Sequence, residues 1–234
     1  MEKKRVLIVE DDADIADVLR AYLVRDGFEV DIAGDGLTGL TAYRRFKPDV
    51  VLLDMMLPML SGADVLMQIR QDSTVPIIMV TAIGDESEKL GALRYGADDY
   101  VVKPYSPKEV VARVHAVLRR VSIYSHSDAH QDKLIHDRLW VDLAAKQAGV
   151  YCVLGADEST LLVLTPTEFN ILSLLLQYPS RAYSRDELIE RCLPESEALT
   201  RVVDVHVHNL RRKLEALGIV GVLVTVRAVG YRFR

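Results

Sequence analysis

Short apolar runs alternate with amphipathic segments along the first 120 residues. The candidate strands are Arg5–Val9, Phe28–Ala33, Asp49–Leu53, Pro76–Val80 and Tyr100–Val102. The segments with helical spacing of apolar residues are 14–26, 36–46, 63–71, 85–95 and 107–120. The first and third runs are almost continuously apolar, which is typical of parallel strands covered on both faces. Five such β-α units predict a doubly wound parallel sheet and an α/β fold.

The pattern changes after residue 120. Residues 121–133 have no helical stripe of apolar residues, and we interpret them as a linker. The strands predicted beyond it are Leu134–Val141, Gln147–Val153 and Leu161–Leu164, and the helices are 166–177, 184–192 and 200–217, with a terminal hairpin near 222–234. Strands followed by helices indicate an α+β domain. We therefore predict one domain at 1–120 and a second at 134–234.

Composition narrows the class of protein. The chain has no run of 18 apolar residues, so we expect no membrane span, and it has no apolar core of a signal peptide near its start. Its two cysteines, Cys152 and Cys192, do not suit a disulfide scaffold and fit a reducing cytoplasm. The net charge is −5, but residues 201–234 carry seven basic and two acidic side chains. This asymmetry is a weak indication of polyanion binding.

Charged and hydroxyl side chains follow the predicted strands where the strands end. They are Glu10, Asp11, Asp12, Asp54, Thr81 and Lys103. Because the carboxyl ends of parallel strands meet at one edge of a sheet, we expect these side chains to share one crevice. Clustered carboxylates repel each other unless a cation lies among them, and Mg²⁺ prefers such oxygen ligands. For any single acid, a helix cap or a solvated loop is the alternative interpretation.

Asp54 is the best candidate nucleophile in this crevice. It ends the central apolar run and faces the other strand ends. A carboxylate can accept a phosphoryl group and form an aspartyl phosphate, and the ammonium group of Lys103 can pair with that phosphoryl group. The sequence therefore predicts phosphoryl transfer at a magnesium site.

Four segments around these residues resemble the signature of response-regulator receiver domains. They read Val9-Glu10-Asp11-Asp12, Leu52-Leu53-Asp54-Met55-Met56-Leu57-Pro58 with Gly62, Val80-Thr81-Ala82, and Gly96-Ala97-Asp98-Asp99-Tyr100-Val101-Val102-Lys103-Pro104. The resemblance covers residues 4–120. It implies the strand order 2-1-3-4-5 and a cis peptide bond between Lys103 and Pro104.

The same resemblance implies a role for each residue of the crevice. Asp54 would be the phosphoacceptor. The implied ligands of Mg²⁺ are Asp11, Asp54, the carbonyl of Met56 and, through water, Glu10. Thr81 and Lys103 would contact the phosphoryl oxygens, and Tyr100 would be the aromatic residue of the switch.

A glycine-rich motif near residue 34 suggests a different function. Gly34, Gly36 and Gly39 fit the G-x-G-x-x-G pattern of dinucleotide-binding domains, and Asp54 lies 20 residues after the first glycine. The motif lies at the second β-α turn, whereas the dinucleotide fingerprint belongs to the first. We therefore interpret it as a turn followed by a helix N-terminus.

The predicted helix 200–217 has two distinct sides. Its core positions are Val203, Val207, Leu210, Leu214 and Leu217. The other stripe consists of Arg201, Val205, His208 and Arg212, with Asn209 beside it. This spacing is that of a major-groove helix, and the flanking Arg211 and Lys213 could contact phosphates. A solvated surface helix is the alternative.

Residues 134–234 resemble the winged-helix domain of the OmpR/PhoB class. The resemblance makes helix 200–217 the recognition helix and places the wing at 222–234. Arg227 would enter the minor groove or contact phosphate, and Thr225 and Tyr231 would contact the DNA backbone. Ala228 replaces the commoner glycine of the wing turn, and basic residues of several relatives are replaced by His208 and Asn209.

Together the two resemblances imply a cytoplasmic response regulator, not a turnover enzyme. A histidine kinase would phosphorylate Asp54, and the dimeric protein would bind direct-repeat promoter DNA and act on RNA polymerase. The residues that match inter-subunit ion pairs are Lys89, Asp99, Glu109 and Arg113. One alternative is a Mg²⁺-dependent phosphatase, but such enzymes need an acid where this chain has Met56. The other is a receiver with a protein-binding output.

Overall fold

The computed structural model describes residues 3–81, 96–122, 133–152, 158–193 and 201–234, except the side chains of residues 120–122 and 201. The chain divides into two compact units, residues 1–118 and 119–234. The helix predicted at 85–95 and most of the predicted linker lie outside the described residues. None of the described helices is long and apolar enough to span a lipid bilayer.

The first unit is a parallel sheet with helices between its strands. Its elements are β1 (Arg5–Val9), α1 (Ala13–Arg25), β2 (Glu29–Ala33), α2 (Gly36–Phe46), β3 (Val50–Asp54), α3 (Gly62–Ile69), β4 (Ile77–Thr81), β5 (Asp99–Val102) and α4 (Pro107–Ser122). The strand order is β2-β1-β3-β4-β5, and every pairing is parallel. This confirms the predicted doubly wound sheet. The last helix continues two residues into the predicted linker.

Burial explains why the central runs form strands. Every residue of β3 and β4 is buried, because helices cover both faces of the sheet. The first two helices begin at acidic caps, Asp12 and Asp35. The Asp12 carboxylate accepts hydrogen bonds from the backbone amides of Asp14 and Ile15, at 3.0 and 3.1 Å. Such caps compensate amides that the helix leaves unpaired.

The loop between β3 and α3 passes very close to its neighbours. A Cβ atom added at Gly62 would lie 1.9 Å from the carbonyl oxygen of Asp54, and one at Gly36 would lie 2.1 Å from the carbonyl oxygen of Leu60. The Gly62 amide also donates to the carbonyl of Met55 at 3.0 Å. These approaches fix the backbone that follows Asp54 between the end of β3 and the start of α2.

Two glycines of the apparent dinucleotide motif have packing roles. Gly36 faces Leu60, and a Cβ atom at Gly39 would lie 2.8 Å from the side chain of Val9. The Asp35 carboxylate binds the first amides of α2, and hydrogen bonds from Thr38 lower the pKa of Asp35. The start of α2 therefore carries its own anion, which agrees with the interpretation as a turn and a helix start.

The second unit contains two antiparallel sheets and three helices within its described residues. Its elements are β6 (Lys133–His136), β7 (Leu139–Asp142), β8 (Gln147–Tyr151), β9 (Ser159–Leu161), α5 (Pro166–Gln177), β10 (Tyr183–Ser184), α6 (Arg185–Cys192), α7 (Arg201–Ala216), β11 (Leu223–Val226) and β12 (Gly230–Phe233). The sheet orders are β6-β7-β8-β9 and β10-β12-β11. The α+β prediction is confirmed.

One strand predicted from the sequence is two strands in the structure. The run 134–141 folds back on itself at Asp137 and Arg138, so that β6 and β7 pair antiparallel. Asp137 has φ +51°, a left-handed conformation that aspartate tolerates better than most residues. The prediction was wrong here because only a short polar break, His136 to Arg138, marks the turn.

Helices α5 and α7 form the core of the second unit. Val203, Val207 and Leu210 of α7 are fully buried, as the helical spacing predicts. Helix α5 is buried almost all round, and its capping box joins Thr165 to Glu168. The Lys213 ammonium group reaches the buried Glu168 carboxylate at 2.6 Å, so it is an internal ion-pair partner.

We expect Gly62→Ala to destabilise the first unit by about 1–3 kcal/mol, because overpacking against fixed backbone has a cost of this size. Gly34→Ala is the matched control, since a Cβ atom there would have no neighbour within 4 Å. Urea unfolding followed by circular dichroism measures the difference. The fluorescence of Trp140, the single tryptophan, reports the second unit and should not change. Equal stability of the two variants would contradict the close-packing explanation.

Candidate functional site

Carboxylates from two neighbouring strand ends meet at the carboxyl edge of the first sheet. Glu10 follows β1 and Asp54 ends β3, and their side chains are only 3% and 5% exposed. Asp11 is exposed beside them. Oxygen atoms of Glu10, Asp11 and Asp54 all lie within 4.8 Å of one another. The structure therefore brings together three of the four acids that sequence analysis placed in one crevice, whereas the carboxylate of the fourth, Asp12, caps α1.

Lys103 is the cation of this cluster. Its Nζ atom lies 2.6 Å from Oδ2 of Asp54 and 2.8 Å from Oε1 of Glu10. Burial raises the pKa of Glu10 and the nearby Asp54 adds to this, although the hydrogen bond from Lys103 opposes it. Burial alone would lower the pKa of Lys103, but its two carboxylate partners outweigh that effect and raise it. The Lys103–Pro104 peptide bond is cis, as the resemblance to receiver domains implies.

Backbone and hydroxyl groups complete the surroundings of Asp54. The Met56 amide donates to Oδ1 of Asp54 at 2.9 Å, which leaves Oδ2 for Lys103. Thr81 is buried at the end of the adjacent strand β4, and Tyr100 is half-buried on β5. Three strand ends and the loop after β3 thus supply a carboxylate, an ammonium group, a hydroxyl and an amide in one place.

Sequence analysis missed Tyr105 as a neighbour of this site. Its hydroxyl is buried and has no hydrogen-bond partner among the described residues. Burial, and to a smaller extent Glu10, raises the pKa of Tyr105 to about 12. In the sequence, only the position of Tyr105 two residues after Lys103 indicates that it lies beside the site. An apolar cavity of about 560 Å³ lies beside it, lined mainly by Ile15, Val18, Leu19, Pro104 and Pro107.

Three of the four residues proposed for a dimer interface, Asp99, Glu109 and Arg113, are engaged within the chain. Arg113 is buried and pairs with Asp99 at 3.4 Å and with Glu109 at 2.9 Å. Burial alone would lower the pKa of Arg113, but the two carboxylates outweigh this and raise it. Asp99 is buried too, so these two residues are not exposed partners for a second subunit. Lys89 lies outside the described residues.

In the second unit, α7 presents only part of the predicted reading stripe. His208 and Arg212 are exposed. Val205 and Asn209 are 7% and 8% exposed, so the structure does not present them to a duplex, and the prediction for these two is corrected. Burial by residues from other elements cannot be read from helical spacing. The side chain of Arg201 lies outside the described part of the chain.

Two further predicted contacts have partners inside the protein. Tyr231 is 4% exposed, and its hydroxyl donates to the Asp204 carboxylate at 2.6 Å, so it does not present a donor to the DNA backbone. Arg211 donates from Nη2 to the Thr225 hydroxyl at 2.8 Å and from Nε to the Leu223 carbonyl at 3.0 Å. Thr225 itself is exposed.

The wing is the hairpin of β11 and β12. Its turn is closed by a hydrogen bond of 3.0 Å from the Val229 amide to the Val226 carbonyl. Arg227, to which the winged-helix resemblance assigns a DNA contact, is exposed at the tip. Ala228, in the place of the commoner glycine, has φ +60°, so the turn keeps a conformation that glycine would favour.

Comparison with known proteins agrees with this geometry. Residues 6–115 match the family of the response regulator receiver domain, and residues 158–233 match the transcriptional regulatory protein C-terminal family. The DNA-binding response regulator MtrA of Mycobacterium tuberculosis is 40% identical over 232 residues, which cover 98% of this chain and 96% of MtrA. The chain is a response regulator of the OmpR/PhoB family.

Other relatives of the regulator extend over its whole length. The probable transcriptional regulator ycf27 of Guillardia theta is 40% identical over 99% of the regulator and 91% of that protein. A crystal structure of DrrB, an OmpR/PhoB homologue of Thermotoga maritima, matches 99% of both chains at 25% identity with a TM-score of 0.51. The structure of a RitR mutant matches 99% of both chains at 26% identity with a TM-score of 0.79. A receiver joined to a DNA-binding domain implies a histidine kinase and DNA as partners.

We expect Lys103→Met to lower the free energy of unfolding of the receiver unit by about 1–3 kcal/mol without divalent cations. The reason is that two buried carboxylates lose their shared counter-charge, and the partial exposure of Lys103 keeps the loss below that of a fully buried pair. Lys108→Met, at an exposed position of α4, is the control. Urea unfolding in EDTA and in Mg²⁺ measures both variants. Unchanged stability of Lys103→Met in EDTA would show that the ion pairs contribute nothing.

Proposed function

We propose that the regulator accepts a phosphoryl group on Asp54 from a histidine kinase. The observation that carries the proposal is the buried Asp54 carboxylate, which has Lys103 on one oxygen and the Met56 amide on the other. The carboxylate oxygen attacks phosphorus, and the bond from phosphorus to the phosphohistidine nitrogen breaks, so that the histidine leaves with its electron pair. Lys103 and Thr81 then bind the phosphoryl oxygens.

The donor set around Asp54 suits Mg²⁺. Carboxylate oxygens that converge from Glu10, Asp11 and Asp54 are the hard ligands this cation takes, usually together with water. Asp11, Asp54 and the Met56 carbonyl would hold the ion, with Glu10 acting through water. When bound, Mg²⁺ neutralises the negative charge that gathers on the phosphoryl oxygens. The chain's own residues hold the nucleophile and orient the phosphoryl group.

Regulation, and not continuous turnover, is the proposed use of this chemistry. An aspartate-based phosphatase needs a carboxyl group that protonates the leaving group as a general acid and then, as the conjugate base, takes a proton from the water that hydrolyses the intermediate. The side chain two residues after Asp54 is the thioether of Met56, which can do neither. The phosphoryl group therefore serves as a signal that is lost slowly.

We further propose that phosphorylation promotes a dimer of receivers and that the second unit binds direct repeats in promoter DNA. Exposed His208 and Arg212 of α7 would read base edges in the major groove, and Arg227 of the wing would enter the minor groove or contact phosphate. Repeats about 10–11 bp apart would place two copies on one face of the duplex. Bound copies would act on RNA polymerase.

Incubation with Mg²⁺ and a small phosphodonor should add one phosphoryl group to the regulator, and Asp54→Asn should abolish the adduct in an intact mass spectrum. Asp17→Asn, which changes an exposed carboxylate of α1, is the matched control and should keep the normal yield. A normal yield on Asp54→Asn would refute the assignment. Release of phosphate over many rapid turnovers would favour the phosphatase alternative.

Beryllofluoride, which mimics the phosphoryl group on aspartate, should double the mass of the regulator in sedimentation velocity. Asp54→Asn should stay a monomer under the same conditions, because it cannot hold the mimic. Since Arg113 and Asp99 already pair within the chain, Arg113→Ala should mainly lower stability. An unchanged mass with beryllofluoride would contradict phosphorylation-driven dimerisation.

Two substitutions should separate affinity from base recognition. Arg212→Ala should weaken binding of a selected duplex by about 1–3 kcal/mol and leave scrambled DNA unaffected, because bidentate arginine contacts read guanine. If Arg227 contacts phosphate, Arg227→Ala should weaken binding of all duplexes and lower the salt slope by about one. Arg44→Ala, an exposed receiver position, is the charge-matched control. Fluorescence anisotropy at several salt concentrations measures these effects; equal losses on both DNAs for Arg212→Ala would contradict base reading.

A further inference from the structure

Tyr231 lies at the centre of a cluster that joins three parts of the second unit. We name the helix–wing cluster by its residues Arg185, Asp204, Arg211, Thr225 and Tyr231. The Tyr231 hydroxyl and the Arg185 Nε atom both donate to Oδ1 of Asp204, at 2.6 and 2.7 Å. The guanidinium groups of Arg185 and Arg211 lie 5.1 and 5.5 Å from the centre of the Tyr231 ring. The ring is thus held by two cations and a carboxylate.

The cluster attaches α7 to the wing at two separate levels. Asp204, in the first turn of α7, holds β12 through Tyr231. Arg211, seven residues later on the same helix, holds β11 through the Leu223 carbonyl and the Thr225 hydroxyl. Two attachments on different strands fix both the distance and the inclination of a hairpin against a helix.

The tip of the wing has no such attachment of its own. Arg227, Ala228 and Val229 are exposed, and Arg227 makes no hydrogen bond or ion pair with the described residues. The place of Arg227 relative to α7 is therefore determined by the two strands that carry it. Those strands are held by Tyr231 and Arg211.

We propose that Tyr231 and Arg211 are positioning residues, which hold the wing where Arg227 engages the same duplex as His208 and Arg212. The inference rests on the proposed DNA contacts of α7 and the wing. A Tyr231 hydroxyl that already donates to Asp204 has no second proton for a phosphate oxygen. Burial and the Asp204 carboxylate raise the pKa of Tyr231, so the hydroxyl keeps the proton that it donates.

A double-mutant cycle on the full-length regulator tests the proposal. Tyr231→Phe removes only the hydroxyl, and we expect about tenfold weaker binding of a selected duplex, a loss typical of a disrupted polar contact. If Tyr231 acts through Arg227, the loss should vanish in an Arg227→Ala background, because the positioned group is gone. In an Arg212→Ala background, by contrast, Tyr231→Phe should weaken binding by the same factor as in the wild type, so that the fold-losses of the two substitutions multiply.

Tyr183→Phe is the matched control. Tyr183 pairs with Tyr231 across β10 and β12, is fully buried, and has a hydroxyl without a partner among the described residues. Its removal should leave DNA affinity unchanged. Hydrogen exchange without DNA supplies an independent measurement: amides of residues 227–230 should exchange faster in Tyr231→Phe and at the wild-type rate in Tyr183→Phe.

The outcomes separate the inference from the function on which it rests. The proposal would be overturned if Tyr231→Phe weakened DNA binding by the same factor in the Arg227→Ala and Arg212→Ala backgrounds and also lowered the salt slope of binding by about one. That result would show that Tyr231 contacts phosphate directly. An unchanged affinity of Tyr231→Phe would overturn it as well. If the regulator selected no duplex while exchange at the wing still rose in Tyr231→Phe, the attachment would stand and the DNA contacts would fail. Unchanged exchange would refute the attachment itself.

Discussion

One ammonium group shared by two buried carboxylates determines the chemistry of the receiver unit. Glu10 and Asp54 lie at the ends of separate strands, and their buried carboxylates would repel each other. Lys103, which follows a third strand, compensates part of that repulsion. The compensation is incomplete, because one cation faces two carboxylates with Asp11 beside them. In the proposed reaction, a divalent cation and then a phosphoryl group would enter a site whose charge is already out of balance. Each of them would change how Lys103 divides its contacts, and Lys103 directly follows β5, which carries the half-buried Tyr100.

The geometry of this site depends on backbone that cannot shift. Gly62 approaches the Asp54 carbonyl, and Gly36 approaches that of Leu60, so the loop carrying Met56 is confined on two sides. The Met56 amide then holds one oxygen of Asp54 while Lys103 holds the other. Close packing of this loop maintains the orientation of the buried Asp54 carboxylate, which is the proposed nucleophile. The site thus combines an unbalanced charge with a rigid frame.

Sequence predicts those features that follow from chain order and local spacing. In a parallel sheet the carboxyl ends of strands must meet, so Glu10, Asp54 and Lys103 could be brought together from their positions alone. Burial by distant parts of the chain is different. Val205 and Asn209 share the spacing of His208 and Arg212, yet they are buried, and Arg113 pairs inside its own unit. Nor does periodicity show that the Tyr231 hydroxyl meets Asp204, since the two are 27 residues apart. The turn at Asp137 was not predicted for a local reason, because the short polar break from His136 to Arg138 scarcely interrupts an apolar run.

The alanine at the tip of the wing has a consequence for the entropy of association. Ala228 occupies a left-handed conformation that costs a residue with a Cβ atom about 1–2 kcal/mol, whereas glycine would adopt it freely. Glycine would also visit many other conformations, and a ligand that immobilised it would have to overcome that freedom. With alanine the tip has fewer alternatives to lose when it meets a groove. Ala228 thus lowers the folding stability slightly compared with glycine, and it makes the tip of the wing stiffer before the wing meets a duplex.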